Sequence, residues 1–163
     1  MNIRIGLVLT LCSVLAVAGA GEACAAAGQF QFVAGEVKVV NRAGVERAAR
    51  KGMDVEEGDT VSTIAGASAQ IRMVDGGFIA VRPDSRLKVE TFVFNGKQDG
   101  KERSLILLLK GGFRAITGLI GNLNKQNYLI RTPSATIGIR GTDHEPMFIP
   151  QPPPGVVAIG VPG

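Results

Sequence analysis

Between residues 30 and 149 apolar positions recur with a period of two, the spacing of a strand with one packed face and one wet face. The clearest case places Ala69, Ile71 and Met73 inward and Ser68, Gln70 and Arg72 outward. Leu87, Val89, Thr91 and Val93 repeat it against Arg86, Lys88 and Glu90. Val37 and Val39 alternate with Glu36 and Lys38, and Ala135, Ile137 and Ile139 with Thr136, Gly138 and Arg140. Residues 105–109 are instead five consecutive apolar side chains, which predicts a central strand covered on both faces.

Turn signals separate these runs at residues 41–44, 57–59, 75–77, 82–84, 95–100 and 111–112. Asp75-Gly76 and Asn95-Gly96 are the pairs that supply positive φ in tight hairpins. The only helical candidate in the body is residues 45–51, one or two turns. About ten short strands separated by turns predict an all-β fold: a rolled antiparallel β-sandwich or β-roll.

The ends break the pattern. Arg4 precedes an apolar run from residue 5 to 18 and then small residues, the layout of a secretory signal peptide over residues 1–27. That run is too short to cross a bilayer core of about 30 Å as a helix. Alanines at 23 and 25, or at 25 and 27, satisfy the A-x-A spacing, so cleavage is expected after Ala25 or Ala27. Cys12 and Cys24 then leave with the leader helix, and disulfides have no part in the mature chain. The alternative, a lipoprotein anchored through Cys24, meets Glu22 and Gly21 where small and Leu-like residues are wanted. The expected location is periplasmic or secreted. Residues 150–163 form a proline-rich tail whose Val156, Val157, Ile159 and Val161 suggest a strand without partners or a chain cut short.

Composition narrows the chemistry. The chain has 163 residues, 22 Gly, one Tyr, no Trp, one His and two Cys, with 18 basic and 14 acidic side chains. One His and two Cys exclude a multi-histidine or four-cysteine metal centre, and no cofactor is implied. Asp143-His144-Glu145 is the one place where His adjoins two acids, but neighbours in an extended segment face opposite ways, so a polar turn is expected. His144 is also the only base available to a serine nucleophile, and no G-x-S-x-G elbow is present. An enzyme is therefore not expected. The acids Asp54, Glu56, Glu57 and Asp59 lack EF-hand spacing, and Asp59 is expected to bond its own turn. Gly138 and Gly141 flank Arg140 without a following helix to bind phosphate, and are read as close packing or a bulge.

Arg42, Arg47, Arg50 and Lys51 make the densest basic run, a candidate edge for an anionic glycan or lipid head group. Nucleic acid is not expected, because aromatic stacking platforms are missing.

Read in order, the runs GEVKVV from Gly35, KGMDVEEGDTVST ending at Thr63, SAQIRMVDGGFIAVRPDSRLKVE from Ser68, LLLKGGFRA from Leu107 and YLIRTPSATIGIRGTDHE from Tyr128 resemble the FecR domain family. Its members share a Gly-Asp turn before a Thr-ended strand, an Asp-Gly hairpin, a Pro-x-Ser step, and a final Thr-Pro-x-Ala followed by Arg-Gly-Thr. The resemblance covers about residues 30–149 and sets the domain at 28–149. It implies a non-catalytic, β-rich periplasmic module. In the type member, a transporter loaded with ferric citrate signals through such a module to a sigma factor. That regulator carries a cytoplasmic helical segment and a transmembrane helix, whereas this chain opens with an exported leader, so sigma-factor control is not carried over.

The expected function is an exported binding or signalling module of the bacterial cell envelope with a protein partner, and no transmembrane helix after cleavage. Its candidate contact surface is residues 132–142, with Thr132, Arg140 and Thr142, where exposed strand edges would take up a partner strand. The alternative is a structural or glycan- or lipid-associated envelope protein held by the basic run.

Overall fold

A computed structural model describes residues 26–150 apart from Gln98 and Arg140. The leader helix, Cys24 and nearly all of the proline-rich tail lie outside the described residues.

The described chain is one curled sheet of thirteen strands with almost no helix, an all-β roll. The first eight strands are β1 (Ala26–Ala34), β2 (Val37–Val40), β3 (Glu46–Ala48), β4 (Asp54–Glu56), β5 (Thr60–Thr63), β6 (Ser68–Met73), β7 (Phe78–Val81) and β8 (Arg86–Val93). After them come β9 (Arg103–Ile116), β10 (Tyr128–Arg131), β11 (Thr136–Gly138), β12 (Asp143–His144) and β13 (Met147–Phe148). Along the main path the order is β3-β2-β5-β8-β9-β7-β6-β1-β4.

That order follows from a fold along one crease. β7 and β8 both run antiparallel to β9, from Phe78 opposite Ile116 to Val93 opposite Arg103, so they form one long strand bent at residues 82–85. β5 and β6 pair with β8 and β7 and bend at residues 64–67; β2 and β1 pair with β5 and β6 and bend at Gly35. The bends sit side by side. Ile64 N–H donates to Glu36 C=O (3.4 Å), Asp84 N–H to Ile64 C=O (3.1 Å) and Arg82 N–H to Gly112 C=O (3.1 Å). Folding along this line turns the alternating apolar faces of both halves toward each other. Phe30, Ile71 and Phe113 from one half meet Val39, Val61, Leu87, Ile106 and Leu108 from the other in one core, all fully buried. Each such side chain contributes roughly 1.5–3 kcal/mol by leaving water.

Three expectations are corrected. Gly111-Gly112 is not a turn, because β9 continues through it: Gly111 takes φ +71 where the strand crosses the crease. Residues 105–109 are central, flanked by β8 and β10, but alternate in burial; Ile106 and Leu108 are buried while Leu105, Leu107 and Leu109 are half-buried. Residues 45–51 are not helical. Asn41 Oδ1 accepts from Ala43 N–H (3.1 Å) and Val45 N–H (2.8 Å), closing a tight hairpin that lays β3 against β2.

The helix that does form is α1 (Leu119–Leu123), followed by a 3-10 turn, Lys125–Asn127. It makes the crossover needed for β10 to lie parallel to β9, with Tyr128 opposite Ser104. Buried Asp75 fixes its start. One carboxylate oxygen accepts from Gly77 N–H (3.0 Å) and the other from Ile120 N–H (3.3 Å), while Asp75 C=O accepts from Leu119 N–H (3.0 Å). The Asp-Gly hairpin therefore also serves as an anchor for the crossover.

Candidate functional site

The segment after β10 carries the candidate contact surface. Tyr128 and Ile130 are buried beside β9, and the chain reverses at Thr132. Thr132 is buried: its N–H donates to Ala135 C=O (2.8 Å) and its Oγ1 accepts from Ala135 N–H (3.0 Å). It is thus a turn residue. β11 then returns antiparallel to β10, and among the described residues it has no strand on its other side. Thr136, Ile137 and Gly138 are all exposed and Ala135 is too, so the expected inward face of Ala135, Ile137 and Ile139 does not form: β11 lies at the sheet's edge, and only Ile139 is half-buried. Gly138 has nothing within 4 Å of where a Cβ would stand, so close packing does not explain this glycine. Arg140 lies outside the described residues. Thr142 is exposed, and its C=O accepts from Thr117 N–H (2.8 Å).

The structure replaces the expected polar turn at 143–145 with a strap. β12 and β13 lie against the far half of β9, Asp143 opposite Ile116 and Met147 opposite Gly112. The side chains alternate as extended geometry demands. Asp143 pairs with Arg114 and Glu145 with Arg82 on one face, while His144 turns to the other. There its Nε2 lies 3.4 Å from the Tyr128 hydroxyl, the rings edge to face at 5.6 Å. Burial lowers the His144 pKa, opposed in part by the Asp143 charge, and burial raises that of Tyr128. The Arg114 guanidinium holds the Asp143 carboxyl below its usual range.

The basic run divides in two. Arg42 Nη2 binds Glu57 Oε1 (2.9 Å), and Arg47 Nη2 binds Asp59 Oδ2 (3.0 Å). Asp59 is buried and also accepts from Glu56 N–H (3.1 Å), the turn role expected of it. Arg50 and Lys51 are exposed. Among the described residues no three His, Cys, Asp or Glu side chains converge as metal ligands would.

Sequence reasoning missed what the repeated motifs do at the crease. Ser85, of the Pro-x-Ser step, is buried; its Oγ donates to Pro83 C=O (3.0 Å) and accepts from Gly112 N–H (3.0 Å). Thr63, which ends its strand, accepts from Ser85 N–H (3.0 Å) and donates to Arg82 C=O (2.7 Å) through Oγ1. A Cβ on Gly111 would stand 2.3 Å from Ser85 Oγ. Thr-ended strand, Pro-x-Ser and Gly-Gly are three parts of one buried joint.

The family model described as FecR protein matches residues 59–149, which contain the whole of this joint. The chain belongs to the FecR family. It is a regulatory and signalling family without catalytic activity, whose domains are found in the cell envelope. The FecR match begins at Asp59, later than the resemblance read from residue 30, yet β1 and β2 ahead of it are hydrogen-bonded into the same sheet. A solved structure described as "Cell surface anchoring domain" is 32% identical over 38% of this chain and 82% of its own, with a TM-score of 0.37. Among curated proteins no match is found. No helix of the described residues is long and apolar enough to cross a membrane.

Proposed function

We propose that this FecR-family chain is an exported, non-catalytic binding or signalling module that contacts an envelope protein through the free edge of β11. The observation that carries this reading is an edge strand with all three residues exposed, Ile137 included, and hydrogen-bonded on one side only among the described residues. Unpaired strand groups with an apolar side chain between them suit addition of a partner strand. The rival reading, attachment through the basic run, has less support, because Arg47 is held by the buried Asp59 and Arg42 by Glu57, whose other carboxylate oxygen is fixed by Phe92 N–H (3.0 Å).

Export rests on the leader, with cleavage after Ala25 preferred to Ala27 and the start of the domain moved from the expected residue 28 to Ala26. Ala26 pairs with Glu56, Ala27 is buried, and its C=O accepts from Val74 N–H (3.0 Å), so cutting after Ala27 would remove the start of β1. The mass of the mature chain should correspond to an N-terminus at Ala26; a diacylglyceryl mass on Cys24 would show lipid anchoring instead.

The edge is tested with the full mature chain as bait in envelope extract at low and high salt. A strand-edge contact persists at both, since it does not depend on exposed charge. Ile137→Lys places a charge on the edge and should abolish capture while shifting stability by no more than about 0.5 kcal/mol, as is usual for an exposed site. Capture of nothing at either salt, or undiminished capture by Ile137→Lys, would sink the proposal.

A further inference from the structure

We propose a second, separate binding site on the outer face beside the crease, for a linear glycan bearing carboxylates, with Arg86 as its reader. A groove of about 650 Å³ runs along this face, within the roughly 300–1,000 Å³ typical of ligand sites. One row of residues crosses its floor. Lys38 is the cross-strand partner of Ser62, Ser62 of Arg86 and Arg86 of Lys110, on β2, β5, β8 and β9. Neighbouring strands lie about 4.8 Å apart, so cations recur at one and two such steps, close to the advance of successive sugar units along an extended chain.

The cations of the row differ in what already holds them. Lys38 contacts Glu46 (2.9 Å) and Glu36 (3.4 Å), and Lys110 contacts Asp84 (2.7 Å). These pairs are exposed, and such pairs exchange partners at little cost. Arg86 donates through Nε to Ser62 Oγ (3.2 Å) and has no carboxylate partner among the described residues. Ser62 thereby orients the guanidinium while both Nη groups remain to be filled. A planar guanidinium takes a carboxylate through parallel hydrogen bonds, which a lysine cannot reproduce.

The occupant follows from what the groove offers. β2, β5 and β8 are each hydrogen-bonded on both sides, so no free backbone is present for strand addition. Glu36, Glu46 and Asp84 line the groove as well and offset Lys38 and Lys110. Recognition there therefore falls to Arg86, which has no carboxylate partner among the described residues, and to the hydroxyls of Thr60 and Ser62, which together complement a carboxylate and the hydroxyls of an acidic sugar chain. The lack of Trp does not oppose this, because ion pairing rather than stacking holds such a ligand.

The test is calorimetric titration of the full mature chain with a short oligogalacturonate at low salt, beside its methyl ester and an oligoglutamate of equal charge. The acid form should bind, weaken as salt rises, and be preferred to both controls. Arg86→Gln should lower its affinity about 10- to 100-fold, the loss of charge-assisted hydrogen bonds, and Arg86→Lys should restore only part. Ser62→Ala, which frees the guanidinium, should weaken binding less, whereas Arg50→Gln and Ile137→Lys should leave it unchanged. Thermal unfolding of each variant checks that the fold is kept. No binding of the acid form, equal binding of the ester or the oligoglutamate, full affinity in Arg86→Gln, or loss of binding in Arg50→Gln would each overturn the assignment.

Discussion

Ser85 shows how a small polar residue can fix a bend in a sheet. Where two long strands cross the crease, their ladders open, and Arg82, Pro83, Gly112 and Ser85 itself leave backbone groups out of the regular pairing. The Ser85 and Thr63 hydroxyls satisfy those groups in a site that water does not reach. A buried donor or acceptor that loses its partner costs about 1–3 kcal/mol. Ser85→Ala strands Gly112 N–H and should destabilise by that amount, measured by urea unfolding. Gly111→Ala should cost more, since the new methyl meets Ser85 Oγ at 2.3 Å and the backbone at φ +71 disfavours any side chain. A Gly111→Ala variant as stable as the parent would mean that the joint gives way easily. Neither change alters the β11 edge, so captured partners should be retained by whatever fraction stays folded.

Among the described elements, the strap β12–β13 carries a histidine that makes its hold depend on pH. His144 is neutral in its half-buried place against Tyr128, and burial lowers its pKa below that of the unfolded chain, about 6.5. Above that pH the residue is neutral in both states and the strap has its full stability. As pH falls from about 6.5 toward the lowered folded value, the unfolded state takes up the proton first and stability is lost. Asp143 draws the other way in part, and Arg114, which binds it, keeps that carboxylate charged until lower pH. Thermal midpoints between pH 8 and 5 should therefore fall more steeply for the parent chain than for His144→Gln; equal slopes would show that His144 does not titrate in this window.

The strap also marks the limit of what the sequence makes legible. Alternation identified β2 and β6 correctly because each has one buried and one open face, but held in β8 only through Val89: the register shifts between Val89 and Thr91, so Val93, expected inward, is exposed and Phe92 packs against the core. The basic edge was half legible: charge located it, but the carboxylates that neutralise Arg42 and Arg47 lie 15 and 12 residues away and meet them only when β5 pairs with β2, which brings the turn between β4 and β5 beside the β2–β3 hairpin. A three-residue strand such as β3 is too short to show a period, and Gly111-Gly112 carries the composition of a turn while serving as a bend. The parallel β10 and the strap follow from β9 having a second edge to cover, which no local pattern reports.

At the scale of the molecule, β9 decides how the domain unfolds. Its first part lies between β8 and β10, its second between β7 and the strap, and its inward side chains, Ile106 and Leu108 on one side of the crease and Phe113 and Ala115 on the other, belong to one core. Neither half can keep its apolar face dry without the other, and the strands β1–β2, β5–β6 and β7–β8 each continue across the crease as well. The two halves should therefore open together. Leu108→Ala removes a fully buried side chain from one half and should cost about 2–5 kcal/mol, and Phe113→Ala in the other half about 3–5 kcal/mol. Amide exchange reads the coupling directly. In either variant, protection of Val39 in β2 and of Ile71 in β6 should fall by the same free energy, because both amides exchange through the same global opening. If Leu108→Ala loosened Val39 but left Ile71 protected, the crease would be a hinge between two separately stable sheets, and the buried joint of Thr63, Ser85 and Gly111 would be a hinge pin instead of part of one cooperative unit.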